Sequence, residues 1–186
     1  SYPLTLPVDP GWHNSNLATN AYGHSVAVTP IQMLKAVSAV ANNGQMVSPH
    51  VLKAYVDNGR QYDITPSLEA PVIKPETAKT LSNMLAEAIQ GEASTSAVPG
   101  YSIAGKTGTA DIPINGSYSS GLTNASFIGW GPVDDPKFMI YVWFEKPKSN
   151  IYGSIVAAPV FKEVFQTAVT LYNIPPDQAR KQLYGQ

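Results

Sequence analysis

Three stretches of the chain carry apolar residues at helical spacing, and three others read as strands. After Thr29, the residues Ile31, Leu34, Val37, Val40 and Ala41 form one stripe. Thr29 is a good N-cap, Pro30 suits the first helical position, and Gln32 completes a capping box. Asn43-Gly44 ends this helix. A second helix is predicted from Pro75 to Gln90, with Ala78, Leu81, Leu85 and Ala88 on one face and Gly91 as its stop. A third covers roughly residues 155–172. Its rows are Val160, Val164, Ala168 and Leu171, widened by Phe161, Phe165 and Tyr172, and Pro175-Pro176 prevents continuation.

The strand readings are residues 101–111, 125–131 and 137–145. The last, KFMIYVWFE, is continuously apolar from Phe138 to Phe144, which suits a strand buried on both faces. Residues 45–73 read as short extended pieces with a hairpin turn at Asp57-Asn58-Gly59. Residues 1–28, rich in Pro and Asn without periodicity, read as a loop or lid-like lead-in. Residues 112–124 read as a Gly/Ser/Asn-rich loop, with Tyr118 and Leu122 its only bulky side chains and the candidates to lean over a ligand. The fold class is therefore α+β: an antiparallel sheet of about three strands with packed helices.

Composition narrows the function. The 186 residues, 44% hydrophobic and 13% charged, suffice for one domain with a real core. A formal net charge of −1 advertises no nucleic acid or anionic membrane. No apolar run reaches the ~18 residues of a membrane span, and no signal peptide pattern is visible. The abrupt opening Ser1-Tyr2-Pro3 reads as a cut. Cysteine is absent, and His13, His24 and His50 stand at no ligand spacing, so no metal site is expected.

The remaining chemistry lies in YSIAGKTGTAD, residues 101–111. Alone, Lys-Thr-Gly is a short and weak match, and an edge strand guarded by a lysine would account for it. The context favours more. Gly105 and Gly108 read as stripping side chains from one side of the strand, so that another backbone or a ligand can approach. Thr107 and Thr109 alternate onto one face. A lysine with two hydroxyls on a strand edge makes a carboxylate-binding ledge, and the bare edge can hold an extended peptide.

Lys-Thr-Gly is also a signature of penicillin-binding proteins and serine β-lactamases. The resemblance extends beyond the triplet. VTPIQMLKAVSAVANNG (28–44), AGKTGTAD (104–111), NASFIGWGPVDDPKFMIYV (124–142) and YGSIVAAPVFKEV (152–164) resemble, in family order, segments of class B penicillin-binding proteins. The resemblance implies a peptidoglycan D,D-transpeptidase. Such an enzyme attacks a D-Ala-D-Ala stem peptide through a serine acyl-enzyme, is trapped by β-lactams, and needs no cofactor. It implies work at the extracytoplasmic face of a bacterial membrane. It implies that Lys106 places positive charge near the substrate carboxylate, that Thr107 and Thr109 hydrogen-bond it, that the Thr109 N–H is an oxyanion donor, and that Gly108 lets the ligand lie flat.

The chain departs from the family in what it lacks. No Ser-x-x-Lys and no Ser-x-Asn occur; Ser15-Asn16 and Ser82-Asn83 are adjacent pairs. Residues 1–186 thus read as the C-terminal part of a transpeptidase domain, without the nucleophile and inactive alone. A fragment of a β-lactamase or β-lactam sensor, or a non-catalytic peptide-binding module, stays open. The family's sheet has strands on the far side of the one resembling 137–145. That edge is expected to be covered by the missing N-terminal half of the domain, by a self-associated copy, or by residues 1–20 folding back.

Overall fold

The computed structural model describes residues 10–21, 23, 28–91, 93–112, 114 and 121–185. In chain order the elements are α1 (Asn14–Ala21), α2 (Pro30–Ala41), β1 (Gln45–Val47), β2 (Ala54–Asp57), β3 (Arg60–Asp63), β4 (Leu68–Pro71) and α3 (Pro75–Gln90). They continue with β5 (Ala104–Asp111), β6 (Thr123–Gly131), β7 (Phe138–Glu145), α4 (Gly153–Val156), α5 (Ala158–Leu171) and α6 (Asp177–Tyr184). The main sheet is antiparallel in the order β5-β6-β7, and two small two-stranded sheets pair β1 with β4 and β2 with β3.

Local chemistry explains the elements whose bounds matched the pattern. The capping box at α2 is complete: Gln32 N–H donates to Thr29 Oγ1 at 3.3 Å, and Thr29 N–H to Gln32 Oε1 at 2.8 Å. Thr29→Ala is expected to destabilise the protein by about 1 kcal/mol, read from its urea midpoint. The β2–β3 hairpin turns on Asn58 and Gly59, both at positive φ (49° and 78°), as a two-residue turn between right-twisted strands requires.

The buried rows of the helices overlap the expected ones only in part, at Ala78 on α3 and at Phe161 and Phe165 on α5. On α3 the buried residues are Ala78, Ser82 and Ile89, while Leu81 is 37% exposed. Small Ala78 and Ser82 let α3 press against β5, so shape outweighed polarity. On α5 the buried row is Ala158, Phe161, Phe165 and Val169, whereas Val164 and Leu171 are exposed. Here the aromatic rings set the orientation. Phe161 lies 4.7 Å from Phe127 and 5.8 Å from Phe165, between ring centroids. They rest on β6, where a Cβ at Gly129 would come within 2.9 Å of Phe161 and one at Gly131 within 2.9 Å of Phe165. Ile89, Ala93, Val98 and Ile103 complete this core.

Four further expectations are corrected. Residues 14–21 form a helix, not a loop. It buries none of its residues, so it leaves no apolar period to read; Asn16 Oδ1 accepts from His13 N–H at its start. Residues 101–103 are not strand, because their polar groups bond to other segments: Asp177 Oδ2 accepts from Ser102 N–H at 2.6 Å, Ser102 O accepts from Val133 N–H at 3.1 Å, and Tyr101 Oη donates to Ile174 O at 2.7 Å. The third predicted helix is two, α4 and α5, and α6 follows Pro175-Pro176 without an apolar stripe to announce it. Finally, β7 is not buried on both faces. It ends the sheet, Phe138–Val142 are half-buried, and Trp143 and Phe144 are 46% and 37% exposed. With β6 on one side only, the strand keeps an open edge, and α5 and α2, which both pack on it, leave Trp143 and Phe144 uncovered. The described part of the lead-in adds no strand there.

A buried guanidinium locks α6 down. Arg180, 5% exposed, pairs with Asp134 from the β6–β7 connection and with Asp177 at 3.0 Å, and its Nη1 donates to Pro175 O at 3.3 Å. Burial alone would push the Asp134 carboxyl up, but the Arg180 hydrogen bond and charge outweigh it and hold it below its ordinary 3.8. A carboxylate depressed in the folded state stabilises above the unfolded value, and that stability is lost as pH falls through the folded value. Wild-type stability should therefore drop more steeply below about pH 4 than that of Asp134→Asn, in urea unfolding at successive pH values.

Candidate active site

Strand β5 lies at one edge of the sheet. Its neighbour β6 occupies one side, and among the described residues no strand occupies the other. The register sets Lys106 opposite Ile128, Thr107 opposite Phe127, Gly108 opposite Ser126 and Thr109 opposite Ala125. Thr107 and Thr109 therefore share the face on which Phe127 meets α5. Lys106 and Gly108 take the other.

The same alternation corrects one expectation. Gly105 and Gly108 are three residues apart and lie on opposite faces. A Cβ at Gly105 would come within 2.7 Å of the Phe127 ring and 2.8 Å of Ile128 O, so that glycine serves the core. At Gly108, among the described residues, a Cβ would meet the Ser126 side chain, its hydroxyl at 2.5 Å, and of the two glycines this one belongs to the ledge.

The four predicted residues do come together. Lys106 and Thr109 are exposed, and Thr107 and Gly108 half-buried. The Lys106 Nζ turns back to donate to Thr107 O at 3.0 Å and to Thr107 Oγ1 at 3.4 Å. Thr109 Oγ1 accepts from Gly153 N–H at 3.3 Å, where α4 begins. The result is a strip of one ammonium and two hydroxyls along a bare strand edge, suited to an anion carried by an extended chain.

Sequence reasoning missed Gly153. A Cβ there would lie 2.2 Å from Ser126 O and 2.6 Å from Gly108 O, so only glycine lets α4 rest on both strands. Side chains hold the same segment from either side. Thr123 Oγ1 donates to Ile151 O at 3.0 Å, and Thr95 Oγ1 donates to Ser154 O at 2.7 Å. No local signal marks these contacts, which join residues 28 to 59 apart in sequence.

Other candidates do not assemble a site. Lys35 and Ser38 stand three residues apart, but in the order opposite to Ser-x-x-Lys, and both are engaged: Lys35 pairs with Glu69 at 2.5 Å, and Ser38 Oγ donates to Lys35 O and accepts from Val47 N–H. Among the described residues no cluster of metal-ligating side chains occurs, and no helix is long and apolar enough to cross a membrane. A groove of about 710 Å³, bordered by Lys79, Ser82, Asp177 and Lys181, includes none of the ledge residues. Tyr118 lies outside the described residues; Leu122 is half-buried, and its carbonyl accepts from Ile112 N–H.

An antiparallel sheet backed by helices, with Lys-Thr-Gly-Thr on its free edge, points to the superfamily of penicillin-binding proteins and serine β-lactamases, of which Lys-Thr-Gly is one signature. Within it, the chain belongs to the penicillin binding protein transpeptidase domain family, whose family model matches residues 7–166. It is 35% identical over 164 residues to stage V sporulation protein D of Bacillus subtilis, covering 86% of this chain and 25% of that protein. It is 31% identical to the peptidoglycan D,D-transpeptidase FtsI of Buchnera aphidicola, covering 89% of this chain and 29% of that protein. The crystal structure of penicillin binding protein 3 from Mycobacterium tuberculosis complexed with ampicillin superposes with a TM-score of 0.81 at 30% identity. The likeness covers 93% of this chain and 41% of that one.

Proposed function

We propose that this chain carries the substrate-binding strand of a serine-type peptidoglycan D,D-transpeptidase that β-lactams acylate. The observation that carries this reading is the free edge of β5, where Lys106, Thr107 and Thr109 cluster beside Gly108. In this reading Lys106 supplies positive charge near the substrate carboxylate and the two threonine hydroxyls hydrogen-bond it. The Thr109 N–H is one of the two donors that stabilise the tetrahedral intermediate. Named peptidoglycan D,D-transpeptidases among the relatives and a solved neighbour in complex with ampicillin support it.

Residues 1–186 are then the C-terminal part of the domain. The nucleophile and its base lie on a preceding segment, which also covers the outer edge of β7. The absence of Ser-x-x-Lys and the quarter to two-fifths share of the relatives' length support this division. The domain works at the extracytoplasmic face of the membrane.

The test is labelling of the longer protein with a fluorescent penicillin. A covalent band is expected from the longer protein, and no penicilloyl adduct from the 186-residue chain by mass spectrometry. Rapid turnover of the label would point to a β-lactamase instead, and absence of any label to a non-catalytic module.

A further inference from the structure

Among the described residues the dipeptide Asn-Gly stands at Asn43-Gly44 and again at Asn58-Gly59, and the fold holds the two in opposite ways. Asn43 and Gly44 follow α2 with φ of 52° and 92°. The Gly44 N–H donates to Ala39 O at 2.7 Å, and the Gly44 carbonyl accepts from Val72 N–H at 2.9 Å. Gly44 itself is buried against the Ile73 carbonyl. Asn58 and Gly59 adopt the same region of backbone space, at 49° and 78°, yet both are exposed. Among the described residues the Gly59 N–H donates to no acceptor, and a Cβ at Gly59 would meet nothing within 4 Å.

A backbone nitrogen that is free and unhindered can attack the side-chain amide of the residue before it, and glycine brings no Cβ to block the approach. We propose that Asn58 is a site of spontaneous deamidation, and that succinimide formation and hydrolysis there unlatch the β2–β3 hairpin. The Gly59 nitrogen bonds to Asn58 Cγ, the Cγ–Nδ2 bond breaks, and ammonia leaves with the proton that the Gly59 nitrogen gives up. Water then opens the ring. Attack at Cγ yields aspartate, and attack at the main-chain carbonyl carbon of residue 58 yields isoaspartate, whose main chain runs through Cβ and Cγ. Bringing the nitrogen onto Cγ requires rotation of the peptide plane between the two residues. At the hairpin this loosens only the tip closed by Asp57 and Arg60. At Asn43 it would break the Gly44–Ala39 bond and lift Gly44 away from Ile73.

The product matters because the turn is tight. An extra backbone carbon is incompatible with a two-residue turn, and the aspartate form sets a second carboxylate beside Asp57. Every strand residue of the hairpin except Ala54 is exposed, and a two-stranded hairpin is marginal by itself. What the modification releases is therefore the hairpin's own packing. That packing is the Tyr55–Tyr62 stack, 5.1 Å between centroids, and the Arg60 guanidinium 5.4 Å from the Tyr62 centroid. The core under β6 keeps its contacts.

This inference is independent of the penicillin-binding reading. The experiment ages the longer protein in warm, mildly alkaline buffer and follows each Asn-Gly by peptide mapping, with isoaspartate detected by an isoaspartyl methyltransferase. Amide loss should be at least about tenfold faster at Asn58 than at Asn43, a difference that the shared dipeptide leaves to the fold. Asn115-Gly116, which lies outside the described residues, is read in its own peptide. In the isoaspartate fraction, hydrogen exchange at the hairpin amides should quicken about tenfold while the thermal midpoint of the domain stays at its starting value. Asn58→Gly keeps a residue tolerant of positive φ in the turn and should show neither change on ageing. Equal rates of amide loss at Asn58 and Asn43, or unchanged hairpin exchange in the isoaspartate fraction, overturns the proposal.

Discussion

Lys106→Ala in the longer protein is expected to slow acylation by benzylpenicillin by about 100-fold while leaving the folded state intact. The magnitude follows from the contacts. An ion-assisted hydrogen bond contributes about 1.5–3 kcal/mol, and 1.4 kcal/mol is a factor of ten in rate. The lysine is exposed, and among the described residues its partners are the carbonyl and hydroxyl of Thr107, so removing it strands no buried group among them. An exposed substitution of this kind changes stability by no more than about 0.5 kcal/mol. Lys106→Arg should not restore the rate, because a planar fork cannot replace a compact ammonium folded against Thr107. Stopped-flow acylation with thermal melts in parallel separates the two quantities. A rate within a few-fold of wild type would remove Lys106 from the carboxylate site.

Gly153→Ala is expected to cost about 3 kcal/mol of stability, the upper end of what overpacking brings. The added Cβ would lie 2.2 Å from Ser126 O and 2.6 Å from Gly108 O. Both are backbone atoms of paired strands, and neither can yield without opening the β5–β6 ladder. The helix must therefore lift, which breaks the Gly153–Thr109 hydrogen bond. Penicillin labelling should fall along with stability. Gly11→Ala is the control: its Cβ meets nothing within 4 Å, and its variant should unfold at the wild-type urea concentration. Equal midpoints for the two variants would show that α4 does not rest on the ledge.

Much of this was readable in the chain, and the reason is locality. Caps, turns and alternation act over a few residues, so Thr29-Pro30-Ile31-Gln32 announced α2 and Asn58-Gly59 announced the hairpin. Alternation alone put Thr107 and Thr109 on one face. The order of helical and strand segments was enough for an α+β fold, and Lys106-Thr107-Gly108-Thr109 was enough to point to an anion ledge. Tertiary structure decided what depends on distant surfaces. It turned α3 so that Ser82 rather than Leu81 is buried, because a small side chain permits close approach to β5 whatever its polarity. It assigned Gly105 to the core and Gly108 to the ledge, since Phe127, 22 positions away, supplies the ring that fills the space at Gly105. It brought Gly153 onto Thr109 across 44 residues of chain. A hydrogen bond or a steric limit between such residues leaves no local pattern, because each partner alone is an ordinary glycine or threonine, and only the packed sheet and helix make it matter.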